Sequence, residues 1–269
     1  GTSNLLQSIL EHNYPIKKIV LSSSRSVYGE GLYFCKEHGL ISPNARSVSD
    51  MEKGDFNVKC PVCGENVEVR PTTEDSNLNP ASYYAYTKMA QEKMLEVMCP
   101  TLDIPYTIFR YQNVYGPGQS LNNPYTGILS IFSKLFLSNK PINIFEDGKE
   151  SRDFINVKDV ASITWSCLEN DRTNNQYINV GYGKSVSVME VAQILKEFYH
   201  SQSEITVTGD FRKGDIRHNI ADISKAKELC NFEPKYTFEQ GMKEFADWVM
   251  DEHRKNSPDL EDAKYKKSL

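Results

Sequence analysis

The chain has 269 residues, 39% of them hydrophobic and 25% charged, with 15 glycines and 12 prolines, a composition that excludes a disordered or fibrous protein and allows a sizeable core. Its 31 basic and 36 acidic residues leave a net charge of −5, which argues against nucleic acid or an anionic membrane as the partner. The longest apolar runs, such as residues 128–136, fall far short of the roughly 20 residues needed to span a bilayer.

In chain order, Leu5, Leu6, Ile9 and Leu10 recur at helical spacing, which predicts a helix over residues 2–10. Residues 17–21 are a short run led into β-branched side chains and ending in Ser22-Ser23-Ser24. That is the pattern of a buried strand delivering a polar loop. Asn79-Pro80-Ala81-Ser82 marks a helix start, with the helix running to Met98 and stopped by Pro100. A second strand is expected at 106–110, a helix over 127–137, and strands at 142–145 and 154–157. A helix over 160–168, a strand at 176–180 and helices over 187–198, 224–229 and 238–253 follow. Strands alternating with helices predict an α/β fold on a parallel sheet. Chemistry then sits at the carboxyl ends of the strands, here the loops after Leu21 and Arg110. Residues 257–269 are highly charged and read as a frayed tail.

Residues 30–79 break this alternation, with little helical or strand periodicity and three of the six cysteines. So long an irregular stretch inside a compact domain needs something else to organise it. Cys35-Lys-Glu-His38 and Cys60-Pro-Val-Cys63 are two chelating pairs separated by 21 residues. They can wrap one tetrahedral Zn²⁺ with three sulfurs and one nitrogen, and the metal would supply folding free energy to the insert. His38 is the ligand that a water or a carboxylate could replace. Cys99, Cys167 and Cys230 read as buried or incidental thiols. No charged-then-apolar leader opens the chain, and reduced thiols fit a cytoplasmic setting.

Tyr84-Ala-Tyr-Thr-Lys88 lies on the predicted helix, where positions four apart share a face. An ammonium beside a phenol favours the phenolate and makes it a usable base near neutral pH. In a chain with 15 tyrosines this spacing also arises by chance. It gains weight from the Ser22-Ser-Ser-Arg-Ser-Val-Tyr-Gly29 run, because a hydroxyl at a strand end can bond the same substrate oxygen that the tyrosine deprotonates.

Together these segments resemble the catalytic motifs of extended short-chain dehydrogenase/reductases, the NAD-dependent nucleotide-sugar epimerase/dehydratase family. The resemblance implies Ser24, Tyr84 and Lys88 as catalytic residues, with Ser22, Tyr84 and Lys88 against NAD and Glu92 continuing the pattern. Arg110-Tyr-Gln-Asn-Val-Tyr-Gly-Pro-Gly118, the Arg152-Asp-Phe-Ile155 segment and Arg212-Lys-Gly-Asp215 resemble the segments that hold the substrate diphosphate. This implies Asn113, Arg152 and Arg212 as ligands of a dTDP- or UDP-sugar, and a planar guanidinium suits such oxygens. The insert and the loop Gly118-Gln-Ser-Leu-Asn-Asn-Pro-Tyr-Thr-Gly127 look like the cysteine-bearing branch that includes dTDP-L-rhamnose 4-epimerases.

The implied fold is the carboxyl-terminal part of a Rossmann-type parallel sheet over residues 1–117, with the zinc insert at 30–79. A smaller, mainly substrate-binding α/β domain over 118–256 follows. The family also implies a homodimer through a four-helix bundle formed by the first helix and the helix carrying Tyr84. No Gly-x-x-Gly-x-x-Gly or Gly-x-Gly-x-x-Gly occurs, so roughly 90 residues of the usual amino-terminal part are expected outside this sequence. Tight NAD binding is not expected of these residues alone. A 4,6-dehydratase is the nearest rival, but such enzymes need an Asp-Glu pair directly after the catalytic hydroxyl residue, where Arg25-Ser26 stand here. A reductase, a decarboxylase and a non-catalytic nucleotide-sugar binding subunit stay open on the sequence.

Overall fold

Helix α1 (Thr2–His12) and strand β1 (Ile19–Ser24) open the chain in the computed structural model, which describes residues 1–121 and 127–256. The insert follows with β2 (Leu32–Cys35), β3 (Gly39–Ile41), the one-turn helix α2 (Val48–Met51) and β4 (Glu68–Arg70). Then come α3 (Tyr83–Thr101), β5 (Tyr106–Tyr111), β6 (Asn113–Tyr115), α4 (Ile128–Leu137), β7 (Ile142–Ile144), β8 (Ser151–Asn156) and α5 (Val157–Ser166). The chain continues through β9 (Gln176–Val180), β10 (Ser185–Ser187), α6 (Val188–Phe198), β11 (Ile205–Val207), α7 (Ser224–Cys230) and α8 (Phe238–Asn256). Among these residues no helix is long and apolar enough to cross a membrane.

The central sheet is parallel, in the order β1-β5-β9, with Ile19 opposite Tyr106 and Thr107 opposite Gln176. Alternation along β5 sends successive side chains to opposite faces. Ile108 packs with Leu6, Leu95 and Cys99 on the α1/α3 side, and Phe109 packs with Ile163, Ile178 and Ala226 on the α5/α7 side. A strand covered on both faces reads as a largely apolar run, as Tyr106, Ile108 and Phe109 do, and the buried Thr107 hydroxyl is satisfied by donating to the Thr173 carbonyl at 2.7 Å. Each such fully buried side chain contributes about 1.5–3 kcal/mol. A second core lies among α4, α6 and α8, where Phe132, Phe136, Leu195, Met242 and Phe245 are buried against β7. Mixed strands β10-β8-β6 connect it to the sites described below.

Several boundaries differ from the sequence reading. The helix expected from Asn79 begins at Tyr83, because the Ser82 hydroxyl caps it by accepting from the Ala85 N–H at 3.1 Å. It also carries Pro100 in its last turn, where Leu102 N–H still reaches the Met98 and Cys99 carbonyls. The segment 154–157, read as strand, divides at Asn156, whose side chain caps α5 by accepting from Lys158 N–H at 2.9 Å. The 118–127 loop falls partly, and the 257–269 tail wholly, outside the described residues.

The insert, read as irregular, contains an antiparallel sheet in the order β3-β2-β4, with Tyr33, Met51, Phe56 and Val58 buried around it. Its two ends meet. Asn79 N–H donates to the Val27 carbonyl at 2.9 Å, and Gly29, at φ +65°, lies so close that a Cβ there would stand 2.2 Å from the Asn79 carbonyl oxygen. Thr72 ties the far strand to the carboxyl-terminal half through Ile220 and Asp222 at 2.9 and 3.0 Å.

Candidate active site

Strand β1 brings three serines to the carboxyl end of the parallel sheet, and alternation separates their surroundings. Ser23 is buried and donates to the Glu92 carboxylate of α3. Ser22 is exposed, and its carbonyl accepts from Lys88 Nζ at 2.8 Å. Ser24 ends the strand, and its hydroxyl accepts from Ser26 N–H at 3.2 Å, capping the 3-10 turn Arg25–Tyr28.

Tyr84, Lys88 and Glu92 recur every four residues and form one stripe along α3. The stripe runs from a sealed end to an open one: Glu92 is buried, Lys88 half-buried, and Tyr84 55% exposed. Lys88 Nζ stands 5.9 Å from the centre of the Tyr84 ring, and burial lowers the lysine pKa below its ordinary value. At the sealed end, Arg110 binds Glu92 and donates to the Tyr28 hydroxyl at 2.8 Å, sandwiched between the Tyr28 and Tyr177 rings. The Tyr28 hydroxyl in turn donates to Asn179 Oδ1 at 2.8 Å, and burial pushes its phenol up to about 12. The tyrosine inside the serine run is therefore a neutral structural partner.

A cleft of about 220 Å³ opens beside the start of α3, lined by Arg25, Ser26, Ser82, Asn113, Arg152 and Asp215 among others. Arg152 Nη2 donates to Asp215 Oδ1 at 2.8 Å, and Asn113 Oδ1 accepts from Asn219 Nδ2 at 3.1 Å. Arg212 is not among the lining residues; it is exposed and lies over the Phe145 ring at 5.0 Å. The arginine of that segment which turns inward is Arg217, bonded to Glu146 and Asp147 at 2.9 and 2.7 Å. Sequence reasoning passed over it because the resemblance covers Arg212–Asp215 and does not say which arginine, that one or the one five positions on, faces the interior. Glu30, Arg46 and His218 surround the same region and were likewise missed, and Arg25 was singled out only as standing where a dehydratase has an acid. A larger hollow of about 430 Å³, lined by Phe154, Tyr182, Lys184, Glu190 and Phe238 among others, holds none of the predicted site residues.

Cys35, His38, Cys60 and Cys63 converge, all donor atoms lying within 4.8 Å of one another. The Cys35–His38 pair comes from the β2–β3 hairpin turn, and the second pair from a tight turn closed by Gly64 N–H on the Cys60 carbonyl at 3.0 Å. Cys35 Sγ is 3.5 Å from His38 Nδ1 and 3.7 Å from Cys63 Sγ; Cys60 Sγ is 3.7 Å from His38 Nδ1. Sulfurs bonded tetrahedrally to one ion at about 2.3 Å lie about 3.8 Å apart, close to these three separations. Backbone amides of Cys63 and Val62 lower the Cys60 thiol pKa. Cys99 and Cys167 are buried thiols and Cys230 is half-buried, in keeping with the sequence reading.

Residues 60–181 match the NAD dependent epimerase/dehydratase family. The chain is 34% identical over 261 residues to the dTDP-L-rhamnose 4-epimerase of Burkholderia thailandensis, covering 95% of this chain and 69% of that protein. It is 29% identical to a UDP-N-acetyl-alpha-D-glucosaminuronate decarboxylase of Bacillus cytotoxicus, covering 92% of this chain and 67% of that one. Among solved structures, it superposes on the UDP-glucose 4-epimerase of Thermotoga maritima, crystallised with UDP-glucose, with a TM-score of 0.73 and 29% identity, covering 93% of this chain and 68% of that one. The half-sheet, the serine-ended strand and the tyrosine–lysine helix thus belong to a chain of the NAD dependent epimerase/dehydratase family.

Proposed function

We propose that this protein is an NAD-dependent nucleotide-sugar 4-epimerase that inverts C4 of a dTDP- or UDP-sugar through a transient 4-keto sugar. The observation that carries the reading is the Tyr84–Lys88 stripe of α3, tethered by the Lys88–Ser22 bond to the strand that ends in Ser24. In this reading Tyr84 accepts the proton of the sugar 4-hydroxyl and later returns it, while Ser24 hydrogen-bonds that same oxygen. Lys88, whose ammonium stands 5.9 Å from the centre of the Tyr84 ring, faces the phenol and, with Ser22, holds the nicotinamide ribose. NAD, when bound, supplies a reversible acceptor for the C4 hydride. The residues present suit only that end of the cofactor, since the open Tyr84 face and half-buried Lys88 leave room for it while no glycine-rich pyrophosphate turn occurs in the sequence. Asn113 and Arg152 hold the diphosphate in their cleft, and Arg212 approaches from its rim.

Arg25 speaks against the dehydratase alternative. It is buried, its Nη2 is bonded to the Gly29 carbonyl at 2.7 Å, and burial lowers its pKa only to about 10. It stays a cation near neutrality and offers no acid for eliminating water.

The same reading assigns a structural Zn²⁺ to Cys35, His38, Cys60 and Cys63, supported by their mutual distances. It makes the protein a cytoplasmic homodimer, supported by Leu5, Leu10, Met94 and Val97, exposed on α1 and α3; light scattering that returned a monomer would remove that part. The activity itself is tested by following exchange of UDP- and dTDP-sugar 4-epimers in the wild type and in Tyr84→Phe. The variant is expected to lose about 10²–10⁴-fold in kcat, and full activity in it would remove the mechanism.

A further inference from the structure

One side chain of the insert bonds a residue that lines the cleft holding Arg152. Arg46 stands 8 residues after His38 and 14 before Cys60, and its side chain is 2% exposed. Its guanidinium grips both oxygens of Glu146 at 2.7 Å, and Nη2 also donates to the Asp215 backbone carbonyl at 2.9 Å. Nη1 bonds the insert's own Phe56 carbonyl at 3.2 Å, and Nε lies 3.4 Å from Glu30. Asp215 is the residue whose carboxylate takes the 2.8 Å bond from Arg152. A continuous line of contacts therefore runs from the insert through Arg46 to the Asp215 main chain and on to the cleft arginine.

We infer that Arg46 is a positioning residue, through which the insert holds the Asp215–Arg152 pair in place for the substrate diphosphate. The inference rests on the epimerase reading above. A planar fork bonded along two edges has one orientation, which a flexible ammonium does not impose. The position of Arg46 between the two chelating pairs gives the metal a part in this. Closing both pairs on one ion shortens the free loop that carries Arg46 and reduces the conformational freedom lost when it docks.

The test compares the wild-type protein with Arg46→Lys, Arg46→Ala and a control, Lys59→Ala, whose side chain binds only Asp50 and Asp55 at the surface of the insert. Arg46→Lys keeps a positive charge between Glu30 and Glu146 and is expected to fold, as judged by circular dichroism. It should raise the nucleotide-sugar KM, and the Kd for UDP or dTDP by calorimetry, about tenfold. Its kcat should stay within about twofold of wild type, and Lys59→Ala should change neither. Stripping the metal should raise Kd in the wild type and add little in Arg46→Lys, because the two act through one contact. Unchanged Kd in both Arg46 variants, an equal rise in Lys59→Ala, or loss of fold and kcat together with no separate effect on Kd would overturn the proposal. A wild type that neither epimerises nor binds UDP or dTDP would remove the functional reading itself, an outcome distinct from failure of the variants alone.

Discussion

Glu92 and Arg110 meet where α3 crosses β5, joined by Nε to Oε1 at 3.1 Å and Nη2 to Oε2 at 2.8 Å, and both are buried. Glu92 stands two helical repeats beyond Tyr84, so this pair fixes the rotation of the helix on which Tyr84 and Lys88 sit. Replacing Glu92 by Ala strands a buried guanidinium and is expected to cost about 3–5 kcal/mol, read from the midpoint of chemical denaturation. A loss below about 1 kcal/mol would mean the pair behaves like a surface ion pair and anchors nothing.

Arg152 and Arg212 are expected to differ in weight. Arg152 lines the cleft and is 14% exposed, whereas Arg212 is exposed over Phe145. Arg152→Ala should weaken UDP or dTDP binding by about 1.5–3 kcal/mol, the range of a charge-assisted hydrogen bond. Arg212→Ala should cost less than about 1 kcal/mol unless the bound diphosphate draws that side chain inward. Calorimetry on the two variants separates the cases, and equal losses would mean the loop rearranges on binding.

Acid sensitivity should concentrate at His218. Burial, then Arg217, Arg152 and Arg46, push it down to about 4, whereas an unfolded histidine titrates near about 6.5. Between those values the unfolded chain binds a proton that the native chain refuses. Stability from this group is therefore full above about pH 6.5 and lost as pH falls toward 4. The ring is only half-buried, so the loss is discounted to about 2 kcal/mol. Asp153, pushed up to about 6 by burial, works in the opposite sense, since its native form gains the proton first. Its contribution is shared by wild type and His218→Gln. The stability difference between the two should thus shrink by about 2 kcal/mol from pH 6.5 to 4, and a difference independent of pH would contradict the assignment.

Metal analysis should find one Zn²⁺ per chain, and Co²⁺ substitution should give the thiolate charge-transfer and visible bands of a tetrahedral S₃N site. Cys60→Ser is expected to lose the ion and increase proteolysis of the insert while leaving the parallel sheet cooperative. A wild-type protein without stoichiometric metal would leave the cluster as four thiol and imidazole neighbours.

The central sheet and most of its helices were legible because each carries one pattern clearly: 106–109 as a short aromatic and β-branched run, Leu5 to Leu10 as a helical stripe. The short strands of the insert were not, since three- and four-residue strands span too few residues to establish alternation. Tyr84, Lys88 and the four candidate metal ligands could be singled out by local spacing, and Ser24 by the family resemblance of its segment. Arg46, Arg217 and Glu30 could not, because their significance comes from partners distant in the chain: 100 residues for Arg46 and Glu146, 71 for Arg217 and Glu146, and 187 for Glu30 and the Arg217 N–H. Isolated arginines in a sequence read as solvated charges until the fold shows which acid they face.

Because the chain leaves the core at Val27 and re-enters it at Asn79, touching itself at the crossing, the stretch between is closed at its base and fastened again further out, by Thr72 to Ile220 and Asp222 and by Arg46 to Glu146. A short turn grafted across that crossing would delete the thiols, the imidazole and the Arg46 brace in one stroke, and with them the bonds that Ile220, Asp222 and Glu146 make to the insert, so the far half of the molecule would lose a buttress as well as an ornament.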